Sequence, residues 1–351
     1  MHYRLLGTDP VGRGARFIPA RYLSKILLQC ESMQLSFSEL CTTFHERASW
    51  TNQIIKKGLS SRLGILEETI TDFNLIEISN KHSEHILTRK YSRREEGSKS
   101  GADWLWCIGE PGSWLSVLIQ AKIVNPRTGT CNYLNYRKGK QRSLLLKFAR
   151  QYNLLPMYCI YCHVPSGYTP SNKVLPSLSR YPSEEWACSL LTPKQVRQLL
   201  QRKQTKGSDL LDAGIPWLYP FCQTSAPSRN KLGPAVANAL SVVRAESSRD
   251  VFIAEAVKQP GKRNVRRRIR WEDRDPEDLL TKELPRIAVR LLRSKIKPSD
   301  SPVSGISVIS SVPVEAVLSE YKALPSPTEE PYFFDLQEDI ELETAKRKKR
   351  R

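Results

Sequence analysis

The sequence predicts an α/β fold, with helices ahead of a compact mixed core at residues 61–225 and a largely disordered, basic region behind it. Three observations carry that expectation. Residues 101–122 read as a β-hairpin, two runs rich in aromatic and branched side chains around the turn Gly109-Glu110-Pro111-Gly112. Stripes of helical spacing flank the hairpin on both sides. Beyond about residue 225 apolar periodicity gives way to basic clusters and to Ser- and Pro-rich sequence.

In chain order, residues 1–20 hold Gly12, Gly14 and several arginines, and predict an irregular lead-in. Residues 21–60 predict a pair of helices packing on the core. Leu23, Ile26 and Leu27, then Phe37, Leu40, Cys41 and Phe44, recur at three- and four-residue steps, with Ser36 or Ser38 as cap. A further helix starts near Leu63 and aligns Leu66, Ile70 and Phe73. Residues 86–94 read as a strand, followed by a polar turn holding Glu95 and Glu96. Residues 86–122 are thus expected as three consecutive antiparallel strands.

A polar loop, residues 125–140, leads into a helix whose stripe is Gln141, Leu144, Leu145, Phe148, Ala149 and Tyr152. Residues 157–162 read as a buried strand, and 186–191 as another short buried run. Thr192-Pro193 opens a helix, since proline is tolerated at the first helical position. Residues 215–221 are apolar but broken by prolines, and predict a packing flap. The compact domain is expected to end near 225.

Residues 226–351 are expected as a low-order basic tail with short helices, at 235–245, 249–258 and 278–296, and a Ser- and Pro-rich linker at 297–331. Seven basic residues fall between Lys258 and Arg270, and the chain closes on six, Lys346 to Arg351. The formal net charge is +19. An excess of that size points to a polyanionic partner, nucleic acid before an anionic membrane surface. No stretch approaches the ~20 apolar residues of a membrane span, and the start lacks a signal peptide's apolar run. Eight scattered cysteines without an export signal predict reduced thiols and an intracellular setting, nuclear in a eukaryote because of the basic C-terminus and cytoplasmic otherwise. Cys159-x-x-Cys162-His163 matches a haem-attachment string, yet the same residues alternate inside an apolar run and read as buried strand. A zinc site on that pair would need two more ligands at sensible spacing. Cys131, Cys188 and Cys222 are single and scattered.

The chemistry sits in the hairpin. Asp103 opens one strand, and Gln120 and Lys122, two apart and so on one face, close its partner. In a simple hairpin these positions meet at the open end, a place to hold a metal ion and activate a water. An Asp, a hairpin, then Gln-x-Lys resembles the PD-(D/E)xK nuclease superfamily, in particular its Mrr-like and resolvase-like branch, where Gln replaces the second acid. The fuller string GADWLW…QAK also resembles an uncharacterised domain family with that signature. The resemblance covers roughly residues 60–225 and implies a restriction-endonuclease-like αβββαβ core. It implies that Asp103 is the metal-binding acid, Gln120 the second ligand and Lys122 the residue that positions the attacking water. It further implies a third metal-site acid on the leading helix, Glu68 with Glu67 as runner-up, and a site Gln at Gln141. Glu95 or Glu96 could also reach the site. The expected cofactor is Mg²⁺ or Mn²⁺. The expected function is a metal-dependent phosphodiesterase acting on nucleic acid, DNA favoured over RNA. The alternative is a non-catalytic nucleic-acid-binding or scaffold protein that keeps the nuclease fold.

Overall fold

The computed structural model describes residues 35–91, 99–171, 178, 181–222, 231–241, 274–293 and 301–322. All of them fall in one unit that begins at Leu35. Helix α1 (Phe37–Ser60) starts at a capping box. Ser36 Oγ accepts the Glu39 N–H at 3.2 Å, and Glu39 Oε2 accepts the Ser36 N–H at 3.1 Å. Its buried stripe of Leu40, Phe44, Ala48 and Ile55 faces the sheet. There Phe44 stacks on Phe221 and meets Trp217 and Trp106 edge-on, at 4.3, 5.0 and 5.8 Å between centroids.

Helix α2 (Glu67–Lys81) and strand β1 (Ile86–Lys90) come next, followed by the hairpin β2 (Trp104–Glu110) and β3 (Ser113–Ile123). Helix α3 (Lys140–Tyr152) then crosses to β4 (Leu155–Tyr161). β2 and β3 pair antiparallel, and β3 and β4 pair parallel, as a strand–helix–strand crossover requires. The chain order is therefore helix, three strands, helix, strand. β2 and β4 are buried along their whole length, and β3 at all but its last residue, which is why they read as apolar runs. β5 (Cys188–Leu191) and the two-residue β6 (Ile215–Pro216) extend the sheet past β4. Between them, α4 (Pro193–Gln201) opens on a second capping box, Thr192 with Gln195, and α5 (Gly207–Ala213) follows. The flap expected at 215–221 thus contributes a short edge strand before a 3-10 turn at Tyr219–Phe221.

The C-terminal part departs from expectation. The compact unit does not end near 225: a helix at 232–241 (α6), α7 (Arg286–Leu292), β7 (Gly305–Ser310) and α8 (Val314–Lys322) all follow. The sheet has seven strands in the order β1-β7-β2-β3-β4-β5-β6. β7 is antiparallel to β1 and parallel to β2. Residues 86–122 are therefore not three consecutively paired strands, because β7 separates β1 from β2. The expected 297–331 linker is corrected over the described residues 301–322. The reason is burial: Ile306, Val308 and Ile309 are at most 1% exposed, and burying each contributes roughly 1.5–3 kcal/mol. Glu110, at the hairpin turn, ties these later segments in. Its Oε2 accepts from the Leu232 N–H and from Ser311 Oγ, both at 2.9 Å.

Two further expectations change. Cys41 on α1 and Cys222 form a disulfide across 181 residues of sequence, so the thiols are not all reduced. Cys107, Cys131, Cys159, Cys162 and Cys188 are free and buried. The helix expected from Leu63 starts at Glu67 instead. The first of the two N-terminal helices, the residue 1–20 lead-in, Glu95 and Glu96, and the basic runs at 258–270 and 346–351 lie outside the described residues. Among the described residues, no helix is long and apolar enough to cross a membrane.

Candidate active site

The hairpin register decides where the site lies. Trp104 pairs with Ile119, and the Asp103 N–H donates to the Ile119 carbonyl at 2.8 Å, which puts Asp103 across from Gln120. Cross-strand partners share a face, so Asp103 and Gln120 stand together, with Lys122 two residues further along the same side of β3. Asp103 is held from its other side by Ser304, whose N–H and Oγ reach the Asp103 carbonyl at 2.6 and 2.8 Å just before β7 begins. Asp103 Oδ2 accepts from Gln120 Nε2 and from the Ala121 N–H, each at 2.5 Å. Gln120 is 1% exposed, its Nε2 also donates to the Ala121 carbonyl at 3.0 Å, and its Oε1 is buried without a partner. Stranding a buried carbonyl-type oxygen is costly, on the order of 1–3 kcal/mol. That oxygen is therefore a ready acceptor for a donor or a cation.

Lys122 is also buried, and its Nζ lies 3.4 Å from Glu67 Oε1. Glu67 Oε2 takes the Ile123 N–H at 3.0 Å, so the first residue of α2 is clipped to the end of β3. Burial pushes the Glu67 carboxyl up to about 8. Lys122 pulls it down, while Asp103 and Glu68 push it further up. Desolvation outweighs the lysine, so the carboxyl is raised despite the ion pair beside it. The sequence favoured Glu68 over Glu67, and it is Glu67 that touches Lys122. Glu68 follows it in the first turn of α2, close enough to act on Glu67 electrostatically. Thr71 and Asp72, one turn further along α2, are engaged elsewhere: Thr71 Oγ1 with Tyr161 Oη at 3.0 Å, and Asp72 with Lys90 on β1.

Gln141 lies with its backbone carbonyl against Gly101, two residues ahead of Asp103, and among the described residues it makes no hydrogen bond to Asp103, Gln120 or Lys122. Gly101 adopts φ +68°, and a Cβ built on it would lie 2.3 Å from the Gln141 carbonyl oxygen. The glycine ahead of Asp103 thus lets the first turn of α3 close onto the hairpin. Periodicity within one segment does not reveal the neighbours supplied by β4 and by the approach to α3. Tyr158 on β4 is the register partner of Gln120, and it feels the charges of Arg142 and Asp103. Its burial raises the phenol well above the ordinary range. Cys131 feels Lys122 and Glu67, and burial pushes its thiol up to about 12. The parallel β3–β4 pairing was the signal for Tyr158, since it aligns that residue with Gln120.

Cys159 and Cys162 are buried at the end of β4 and just beyond it, as a strand reading requires, and among the described residues no group of three or more His, Cys, Asp or Glu could hold a metal ion. A divalent hard cation has a different donor set available: the Asp103 carboxylate and the partnerless Gln120 Oε1. Oxygen donors of this kind suit Mg²⁺, which takes one or two carboxylates and keeps several waters. These residues fit such an ion.

No curated protein compared with the chain matches it. Residues 40–317, which run from within α1 into α8, match the profile of DUF6615, a family of unknown function, and the chain belongs to that family.

Proposed function

We propose that this chain is a metal-dependent phosphodiesterase acting on nucleic acid, with DNA the favoured substrate. One observation carries the reading: Asp103, Gln120, Lys122 and Glu67 converge at the open end of the β2–β3 hairpin. The αβββαβ chain order and the D…QxK spacing support a likeness to the PD-(D/E)xK nuclease superfamily, from which the insertion of β7 is a departure. The +19 charge supports a polyanionic substrate, and the basic C-terminus supports an intracellular setting, nuclear in a eukaryote.

In this reading Asp103 and the Gln120 carboxamide oxygen hold Mg²⁺ or Mn²⁺. A cation bound there supplies Lewis acidity toward the phosphate and lowers the pKa of a bound water. Lys122, buried and so undamped by bulk solvent, orients the nucleophile and offsets charge on the phosphoryl oxygens. Glu67 fixes the lysine's position from the start of α2 and can pass a proton at its Oε1. Gln in place of a second acid leaves the pair with one fewer negative charge, which weakens cation affinity and lessens repulsion of the substrate phosphate.

Asp103 Oδ2 already accepts two protein hydrogen bonds, and that supports a second reading. There the carboxylate only knits the hairpin, and the protein binds nucleic acid without cutting it. Incubation of the purified protein with supercoiled plasmid separates the two. Nicking in Mn²⁺ that a chelator stops supports the phosphodiesterase. Shifted but intact plasmid at every metal concentration supports the binder.

A further inference from the structure

The segment between the metal-site hairpin and α3 has a feature that the cleavage chemistry does not use. Residues Asn132–Gly139 form a 3-10 helix. Three residues per turn bring positions three apart onto one face, one above the other. The two residues so aligned are Tyr133 and Tyr136, with ring centroids 6.3 Å apart at 66°. They are 69% and 43% exposed, two of the six large apolar or aromatic side chains that stand exposed among the described residues. The fold does not need them outside, because Cys131 and Leu134 anchor the segment at 1% and 4% exposure.

The segment also rims the site. At its start, Cys131 feels the charges of Lys122 and Glu67. At its end, the Gln141 carbonyl lies against Gly101, two residues before Asp103. Lys138 and Lys140 are exposed beside the tyrosines, and the first turn of α3 holds no acidic residue. Exposed aromatic rings beside lysines form the kind of surface on which unpaired bases stack while their phosphates are neutralised. Within a duplex those base faces are covered by their neighbours.

We infer that Tyr133 and Tyr136 form a stacking platform for single-stranded nucleic acid, and that the substrate reaches the site as an unpaired strand. This rests on the phosphodiesterase reading of the neighbouring site. The protein's charge matches such a strand, and the two rings supply contacts that charge alone does not.

The test uses the full chain with a labelled 30-nucleotide DNA strand and the same sequence as a blunt duplex. Cleavage is followed in Mn²⁺ and binding by fluorescence anisotropy without metal. Wild type is compared with a Tyr133→Ala/Tyr136→Ala double variant and a Tyr133→Phe/Tyr136→Phe double variant. The expected result is preferred cutting of the single strand, about 10-fold or more weaker single-strand binding in the alanine variant, near-unchanged duplex binding, and recovery in the phenylalanine variant. If wild type cuts both substrates and the alanine variant cuts and binds like wild type, the platform is overturned and the phosphodiesterase stands. If nothing is cut, the phosphodiesterase reading fails and the anisotropy decides. Selective loss of single-strand binding in the alanine variant then supports the platform, and unchanged or equally reduced binding to both probes overturns it.

Discussion

Glu67 sits against Lys122 with its carboxyl raised to about 8, and folding stability should register that shift. An acid whose pKa rises on folding holds its proton more tightly in the folded chain. Between its ordinary 4.5 and about 8 the folded chain binds more proton than the unfolded one, so this group's contribution falls as pH rises across that window and is level below it. Glu67→Gln keeps a neutral acceptor for the Ile123 N–H, so its denaturation midpoint should fall less between pH 5 and pH 8 than that of wild type. Parallel profiles would mean that Glu67 ionises normally. Gly101 gives a second test at this scale. Alanine there meets both a left-handed φ and the Gln141 carbonyl oxygen at 2.3 Å, and should cost roughly 2–4 kcal/mol in denaturant unfolding. Gly64→Ala, with nothing within 4 Å, should stay within about 1 kcal/mol. Which acid of the Glu67-Glu68 pair meets the site was not legible in the sequence. Adjacent helical residues point about 100° apart, and only the packed position of α2 says which one faces Lys122. Asp103, Gln120 and Lys122 could be placed together, because period two and a single tight turn leave little freedom in a hairpin.

Among the elements, β7 is the one whose role a sequence reading misses. Its apolar residues, Ile306, Val308 and Ile309, are few and stand among serines and prolines, so composition reads as linker. The burial that makes it a strand comes from β1 and β2, more than 180 residues earlier in the chain. The Cys41–Cys222 bond was hidden for the same reason, its partners being 181 residues apart. By contrast, α1, α3, α4 and β4 announced themselves through local signals: apolar residues at helical spacing behind a serine cap, a 3.6-residue stripe, a Thr-Pro start, an apolar run. If β7 is a core strand, Ile306→Ala should destabilise the protein by about 2–5 kcal/mol. A linker position would change by under about 0.5 kcal/mol. Chemical denaturation of the two proteins distinguishes these. Ser304, the residue just ahead of β7, braces Asp103, so a damaged β7 should also cost activity.

For the whole molecule, the net charge of +19 makes salt the natural probe of its partner. Removing the residues after Thr344 deletes the six basic residues from Lys346 to Arg351. For every phosphate that this run neutralises, the truncation should flatten the slope of log affinity against log salt by about 0.9 on duplex DNA. An unchanged slope would mean that the run touches no phosphate. The central claim, however, concerns the cut rather than the grip. The most direct measurement compares Mn²⁺-dependent nicking of supercoiled plasmid by wild type, Asp103→Ala and Lys122→Ala, with circular dichroism and melting recorded on each. Folded variants that bind the plasmid but nick it at least about 100-fold more slowly are the predicted result. Nicking at the wild-type rate by both folded variants would contradict it.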